Sequence, residues 1–245
     1  QQSKVLGTAQ FASAAQAGQA LDALAAAWPR WNATPVEQRA AIFERLADLL
    51  EAQRGELMAL CTLEAGKTLQ DGIDEVREAV DFCRYYAQQA RLRLGREELQ
   101  GPTGERNELF HEGRGIFACV SPWNFPLAIY LGQISAALLA GNCVLAKPAE
   151  QTSLIAARAL ELMFEAGLPA DVIAFLPGDG AIRRFGPGDV MLAEDTTGRG
   201  HITRVVGGQP RRVRRVEGED QVRGQHLVDD LLDRAGVADL LQAAG

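Results

Sequence analysis

The sequence predicts an α/β fold, in which a partial parallel sheet in the order β-α-β-α-β follows a helical N-terminal layer and precedes an irregular or β C-terminal tail. Two observations predict this fold. Three short apolar segments, at about residues 115–120, 143–148 and 172–180, alternate with two helix-like segments. Such alternation is typical of parallel strands that are buried on both faces and joined by right-handed crossovers. Upstream, residues 34–94 carry apolar side chains at helical steps of three and four.

The helical layer is predicted to contain three well-marked helices. Residues 34–37, Thr-Pro-Val-Glu, predict a capping box with proline at the first helical position. The apolar face of that helix comprises Ile42, Phe43, Leu46, Leu49 and Leu50. A second helix at about 56–65 stops at Gly66, and a third at about 70–94 stops at Gly95. The inward residues of the third are Ile73, Val76, Val80, Cys83 and Tyr86 or Ala87, and its charged residues are expected on a solvated face.

The middle of the chain supplies the sheet. Gly101–Gly104 predicts a turn between two short strands of a hairpin. The strand GIFACV then leads into a helix that starts at Pro126 and closes at Gly141-Asn142. The strand CVLAKP, a second helix that ends near Gly167, and the strand VIAFLPGDG follow in turn.

After Gly180 the pattern changes, and we expect a domain boundary near Ala181. Residues 1–180 form the predicted α/β part, and residues 181–245 form a tail of short β segments, a charged linker and a terminal helix. No fourth β-α unit is predicted after the third strand.

Composition excludes several function classes. The net charge of -7 and the isoelectric point near 5.1 argue against nucleic acid as a partner. No stretch has the length and purity of a membrane span, and the N-terminus is a poor signal peptide. The four cysteines lack metal-ligand spacing, so no metal site is predicted. We read them as reduced thiols of a cytoplasmic protein.

Unusual residues follow each predicted strand, where parallel sheets bind ligands. In SPWNFP, Asn124 is placed to aim its amide at a developing oxyanion, although a rigid turn with a packed tryptophan is the alternative. In AKPAE, Lys147 and Glu150 are suited to ribose hydroxyls, although a surface ion pair is the alternative. The glycines of LPGDG allow close approach of backbone to a ligand. The G-x-G-x-x-G fingerprint is absent.

Residues 115–152, GIFACVSPWNFPLAIYLGQISAALLAGNCVLAKPAEQT, closely resemble the NAD-dependent aldehyde dehydrogenase superfamily. Residues 63–91 and 101–107 are most similar to the L-glutamate γ-semialdehyde (pyrroline-5-carboxylate) dehydrogenase part of proline utilization A proteins. The resemblance covers about residues 1–180. It implies a Rossmann-like NAD-binding domain and the oxidation of L-glutamate γ-semialdehyde to glutamate with NAD in proline catabolism. It also implies an upstream proline dehydrogenase domain.

The resemblance implies roles for eight residues. Asn124 would be the catalytic oxyanion donor, and Glu78 would lie at the aldehyde entry. The residues expected to bind the cofactor are Ser121, Trp123, Lys147, Glu150, Gly178 and Gly180. The family mechanism also needs a cysteine thiolate that attacks the aldehyde and a glutamate that activates water. Both motifs come after the third strand in the family, and neither is found in this chain.

Two further interpretations concern the whole chain. Residues 181–206 faintly resemble the closing strands of a cupin-type barrel. Because the family pattern is lost abruptly at Gly180, we expect a chain that joins pieces of two genes or a truncated, rearranged reading frame. Without the catalytic cysteine and glutamate, we expect no turnover. The alternative to an enzyme is a non-catalytic module that binds a nucleotide or self-associates into a homo-oligomer through an exposed sheet edge. A sugar- or metal-binding cupin rests on the tail alone.

Overall fold

The computed structural model describes residues 6–178 and 190–192, all within one compact unit that ends at Leu192. The boundary near Ala181, the charged linker and the terminal helix stay predictions, because residues 179–189 and 193–245 lie outside the described ranges.

Four helices form the N-terminal layer: α1 (Ala14–Asn32), α2 (Val36–Ala52), α3 (Arg54–Ala65) and α4 (Leu69–Arg93). Capping boxes begin two of them, because Ser13 pairs with Gln16 at α1 and Thr68 pairs with Asp71 at α4. Gly66 ends α3 in the left-handed conformation, at φ 68°, as predicted.

Three details of the predicted layer are wrong. Thr34 does not cap α2, because its hydroxyl donates to the carbonyl of Arg30 and Pro35 occupies the N-cap without a side-chain bond. Ile73 faces outward and is 39% exposed. Glu75, expected on the solvated face of α4, is instead buried.

The predicted hairpin is confirmed. Strands β1 (Glu97–Leu99) and β2 (Asn107–Leu109) pair in antiparallel register. The turn between them contains Gly104 at φ 95°. Nearly every residue of both strands is exposed, so the hairpin projects from the unit.

The main sheet is parallel, as predicted, and has four strands in the order β5-β4-β3-β6. They are β3 (Ile116–Val120), β4 (Cys143–Lys147), β5 (Ile173–Phe175) and β6 (Val190–Leu192). The prediction had three strands. The fourth, β6, pairs in parallel with β3, which contradicts the cupin-barrel interpretation at residues 190–192.

Helices α5 (Ala128–Leu139) and α6 (Ser153–Glu165) connect consecutive strands of the sheet. Helix α5 begins at Ala128, not at the predicted Pro126, which lies in the preceding turn. Almost all residues of α5 are buried, because α5 packs on β3 and β4 and also against α4. Helix α2 packs on α6, and α1 packs on β4. The helical layer therefore packs directly against the sheet and against the two helices that connect its strands.

Candidate functional site

The turn after β3 presents a tryptophan and an asparagine at the edge of the sheet. Ser121 and Pro122 are buried, whereas Trp123 is 43% exposed. The backbone N–H of Ser121 donates to the carbonyl of Lys147 at 3.1 Å. This bond joins the ends of β3 and β4, so the SPWNFP turn and the AKPAE segment form one surface.

Asn124 is half-buried in this turn. Within residues 6–178 and 190–192, no hydrogen bond engages its side-chain amide. An amide that has no protein partner retains its donors for a ligand oxygen. The position fits the predicted oxyanion donor, which stays a prediction.

Lys147 and Glu150 lie together at the end of β4. The Nζ of Lys147 is 3.8 Å from Oε2 of Glu150, and their side chains are 19% and 32% exposed. The other carboxylate oxygen, Oε1, accepts a hydrogen bond from Gln151 Nε2 at 2.9 Å. The pair is accessible from the strand-end side and combines a cation with a carboxylate, which are the groups that bind vicinal hydroxyls.

A cavity of about 320 Å³ adjoins the end of β5. Phe11, Leu154 and Phe175 contribute apolar walls, and Pro177 lies at its edge. Gly178 follows directly and is half-buried, and a Cβ added there would meet only the carbonyl oxygen of Ala12, at 4.0 Å. The predicted Gly180 lies outside the described residues.

Glu78, the residue predicted at the aldehyde entry, lies on the exposed side of α4. Desolvation raises its pKa, and repulsion from Glu75 raises it further. Among the described residues, no hydrogen bond or ion pair joins Glu78 to the SPWNFP turn, so its role stays a prediction.

Glu75, which sequence reasoning missed, bonds to the two residues that directly follow that turn. The residue is 2% exposed. Its Oε2 accepts from the backbone N–H groups of Leu127 at 3.2 Å and Ala128 at 2.9 Å, at the start of α5. Its position next to Val76, at helical spacing from the inward Gly72 and Ala79, was the available signal.

Lys67 completes this arrangement. Its Nζ lies 3.2 Å from Oε1 of Glu75 and 4.4 Å from the ring centroid of Phe125. The two groups form an ion pair. Burial raises the pKa of Glu75, and bonds to Ala128 and the charge of Lys67 oppose the rise.

A second glutamate from the layer acts in the same way on α6. Glu64 accepts from the N–H groups of Leu154 at 2.9 Å and Ile155 at 2.7 Å. Both helices that follow the ligand-side strand ends therefore have a carboxylate at their positive N-terminus.

None of the chain's four cysteines is placed to act as a thiolate. All four are buried and free: Cys61, Cys83, Cys119 and Cys143. Burial raises the pKa of Cys61, Cys83 and Cys119 to about 12, and that of Cys143 to about 11. The site therefore offers amide, cation and carboxylate groups, but its own chain adds no reactive thiol.

Within the described residues, no helix is long and apolar enough to cross a bilayer. Among those same residues, no group of three or more His, Cys, Asp or Glu side chains is arranged to hold a metal ion.

Two known proteins illustrate which sequences this chain is similar to. The bifunctional protein PutA of Klebsiella aerogenes is 50% identical over 176 residues, which cover 72% of this chain and 12% of that protein. The 1-pyrroline-5-carboxylate dehydrogenase of Anoxybacillus flavithermus is 38% identical over 178 residues, which cover 73% of this chain and 35% of that protein. The chain thus spans between 12% and 35% of the length of these relatives.

Solved structures agree. A crystal structure of bifunctional proline utilization A superposes with a TM-score of 0.69 at 50% identity, over 71% of this chain and 18% of that one. A 1-pyrroline-5-carboxylate dehydrogenase from Thermus with bound NAD gives a TM-score of 0.66 at 38% identity, over 69% of this chain and 33% of that one. The model of the aldehyde dehydrogenase family matches residues 1–184. The chain belongs to the aldehyde dehydrogenase family.

Proposed function

We propose that residues 6–178 are the nucleotide-binding part of an NAD-dependent oxidoreductase that converts L-glutamate γ-semialdehyde to glutamate in proline catabolism. One observation carries the proposal: the ends of β3 and β4, joined by the bond from Ser121 to Lys147, present Trp123, Asn124 and the Lys147–Glu150 pair on one surface. The relatives named 1-pyrroline-5-carboxylate dehydrogenase, one of them with NAD bound, support it.

In this proposal each group has a separate task. Lys147 and Glu150 bind the hydroxyls of the adenosine ribose, Gly178 and Gly180 lie toward the adenine, and Ser121 and Trp123 line the rest of the cofactor site. Asn124 donates its amide hydrogens to the oxyanion that forms when a thiolate adds to the aldehyde. Glu78 lies at the aldehyde entry. The thiolate and the base that activates water come from outside the described residues.

The carboxylate of Glu150 also predicts a preference for NAD. A carboxylate that accepts from the 2′-hydroxyl of the ribose repels the 2′-phosphate of NADP. The uncharged isostere Glu150→Gln should lose this repulsion while keeping one acceptor.

The test is a titration of the 245-residue chain with NAD and with NADP, followed by tryptophan fluorescence. We expect NAD to quench Trp123, and we expect Lys147→Met to weaken binding of both nucleotides. Glu150→Gln should reduce the difference between the dissociation constants for NAD and NADP. The variant Trp123→Phe separates this signal from Trp28 and Trp31. No quenching at millimolar NAD in any form would contradict the proposal and leave a non-catalytic interaction module.

The partners and compartment follow as further parts of the proposal. Relatives named bifunctional PutA support a proline dehydrogenase domain upstream of this one. The four free thiols support a reducing cytoplasm. The exposed hairpin, with Leu99, Leu109 and Phe110 at 44%, 46% and 47% exposure, supports a homo-oligomer.

A further inference from the structure

Two residues near the start of α4 contact the SPWNFP turn or the residues that directly follow it. Glu75 accepts from the N–H groups of Leu127 and Ala128, which follow the turn. Lys67 bonds electrostatically to Glu75 and lies over the ring of Phe125, inside the turn. We call Lys67 and Glu75 together the Lys67–Glu75 clamp.

The turn needs such support because its own bonds are few. Pro122 and Pro126 have no backbone N–H, so each removes one donor that would anchor the segment. Ser121 is fixed to β4 at one end of the turn. At the other end, helix α5 begins only at Ala128, and its N-cap residue, Leu127, makes no side-chain cap bond. The first N–H groups of α5 would lack acceptors without Glu75.

We propose that the Lys67–Glu75 clamp positions the Trp123–Asn124 pair, so that Glu75 and Lys67 are positioning residues for the ligand-facing turn. Neither side chain touches a bound molecule in this role. Glu75 fixes where α5 starts, and Lys67 fixes the plane of Phe125, the residue after Asn124. The proposal rests on the proposed function only for the roles of Trp123 and Asn124 in ligand binding. The clamp acts on the turn whether or not NAD binds.

The chain offers a matched control for this role. Glu64 accepts from two backbone N–H groups at the start of α6, as Glu75 does at α5. Glu64 contacts no residue of the SPWNFP turn among the bonds that the described residues make. Loss of a carboxylate at a helix start should therefore lower the free energy of unfolding in both variants, whereas the environment of Trp123 should change only in the Glu75 variant, whose carboxylate lies next to the turn.

Fluorine NMR of the full chain labelled with fluorotryptophan tests the proposal without nucleotide. The spectrum should contain three resonances, from Trp28, Trp31 and Trp123, and Trp123→Phe identifies the third. We expect Glu75→Gln to shift or broaden the Trp123 resonance beyond its own line width while the other two stay in place. Glu64→Gln should leave Trp123 unmoved.

Lys67→Met provides a second variant in case Glu75→Gln fails to fold, because Lys67 is partly exposed and the methionine keeps the length of the side chain. Lys67→Met should also shift or broaden the Trp123 resonance. An unmoved Trp123 signal in both folded clamp variants would overturn the proposal, as would an equal shift in Glu64→Gln. A moved signal with no response to NAD would sustain the clamp and refute the nucleotide site.

Discussion

At the scale of single residues, two glutamates of the helical layer, one buried and one half-buried, bond to the helices that follow the strand ends. Glu75 and Glu64 each accept two backbone N–H groups at the start of a helix. A carboxylate at a helix N-terminus is stabilised by the helix dipole and satisfies donors that have no partner within the helix. Desolvation opposes this stabilisation of the charged form and is the larger effect, so the pKa of both residues is raised.

The raised pKa of Glu64 predicts a pH dependence of stability. Burial raises this pKa above its ordinary value of 4.5, and bonds from Leu154 and Ile155 oppose the rise. The folded state therefore holds the proton more tightly than the unfolded state, so this residue contributes stability below 4.5 that is lost as pH rises through the folded pKa. Glu64→Gln cannot titrate.

Urea denaturation of wild type and Glu64→Gln, from about pH 4 to about pH 7, measures the effect. The free energy of unfolding of wild type, minus that of the variant, should fall across this range. Groups that titrate equally in both proteins cancel. A difference that rises with pH would show that the two N–H bonds outweigh desolvation and that the folded pKa is lowered.

At the scale of elements, the sequence predicts most of the fold because apolar strands and helices of this length have few other arrangements. The three predicted strands and the hairpin are present, since each is a short apolar or alternating run bounded by turn residues. The sequence predicts short β segments after Gly180 but not that one of them, β6, joins the parallel sheet, because β6 has only three residues and its place depends on pairing with β3.

Hydrophobicity alone could not show which charged residue of α4 turns inward, and only helical spacing indicated Glu75. Ile73 and Glu75 are two positions apart, and hydrophobicity alone places the isoleucine in the core. In the structure Glu75 faces inward and Ile73 faces outward, because Glu75 bonds to the start of α5 and pairs with Lys67. Both partners lie outside α4, so the sequence of α4 alone does not reveal them. Thr34 fails as a cap for a related reason, since its hydroxyl bonds back to Arg30 of α1.

Asn142 joins α5 to the beginning of β3, and its removal should be costly. Its Oδ1 accepts from the N–H groups of Arg114 and Gly115, and its Nδ2 donates to the carbonyl of Ala137. The residue is 2% exposed. Asn142→Ala should lower the free energy of unfolding by about 2 kcal/mol, because two part-buried N–H groups lose their acceptor and the carbonyl of Ala137 loses one of its two donors.

Chemical denaturation of Asn142→Ala and Asn142→Asp provides the measurement. The aspartate loses the donor to Ala137 and adds a charge near that carbonyl, but it keeps the acceptor for both N–H groups, whose bonds to a carboxylate are stronger, so its loss should be smaller. Equal losses in the two variants would mean that the contact with Ala137, and not the pair of N–H bonds, stabilises this junction.

At the scale of the whole molecule, the four thiols of the chain are buried and expected to be unreactive. Its cysteines are all buried, and their pKa values are raised to about 11 or 12. A thiolate is the reactive form of cysteine, so none of these residues should act as a nucleophile near neutral pH.

A thiol titration with Ellman's reagent at about pH 8 checks this expectation. In the native chain the four thiols should stay unmodified over the time in which a free thiol reacts, and all four should react in urea. In parallel, the chain should form no NADH from glutamate semialdehyde. A fast-reacting native thiol would identify a nucleophile that burial and pKa do not reveal.

The two carboxylates at the helix starts also limit how this sequence can be inherited. Glu64 acts on a residue 90 positions downstream, and Glu75 acts 53 positions downstream. A recombined chain whose helical layer lacks either glutamate would leave the first N–H groups of α5 or α6 without their acceptors. The donors are backbone groups that any residue except proline supplies, so an exchanged sheet segment fits this layer whatever its side chains, provided that both glutamates are kept.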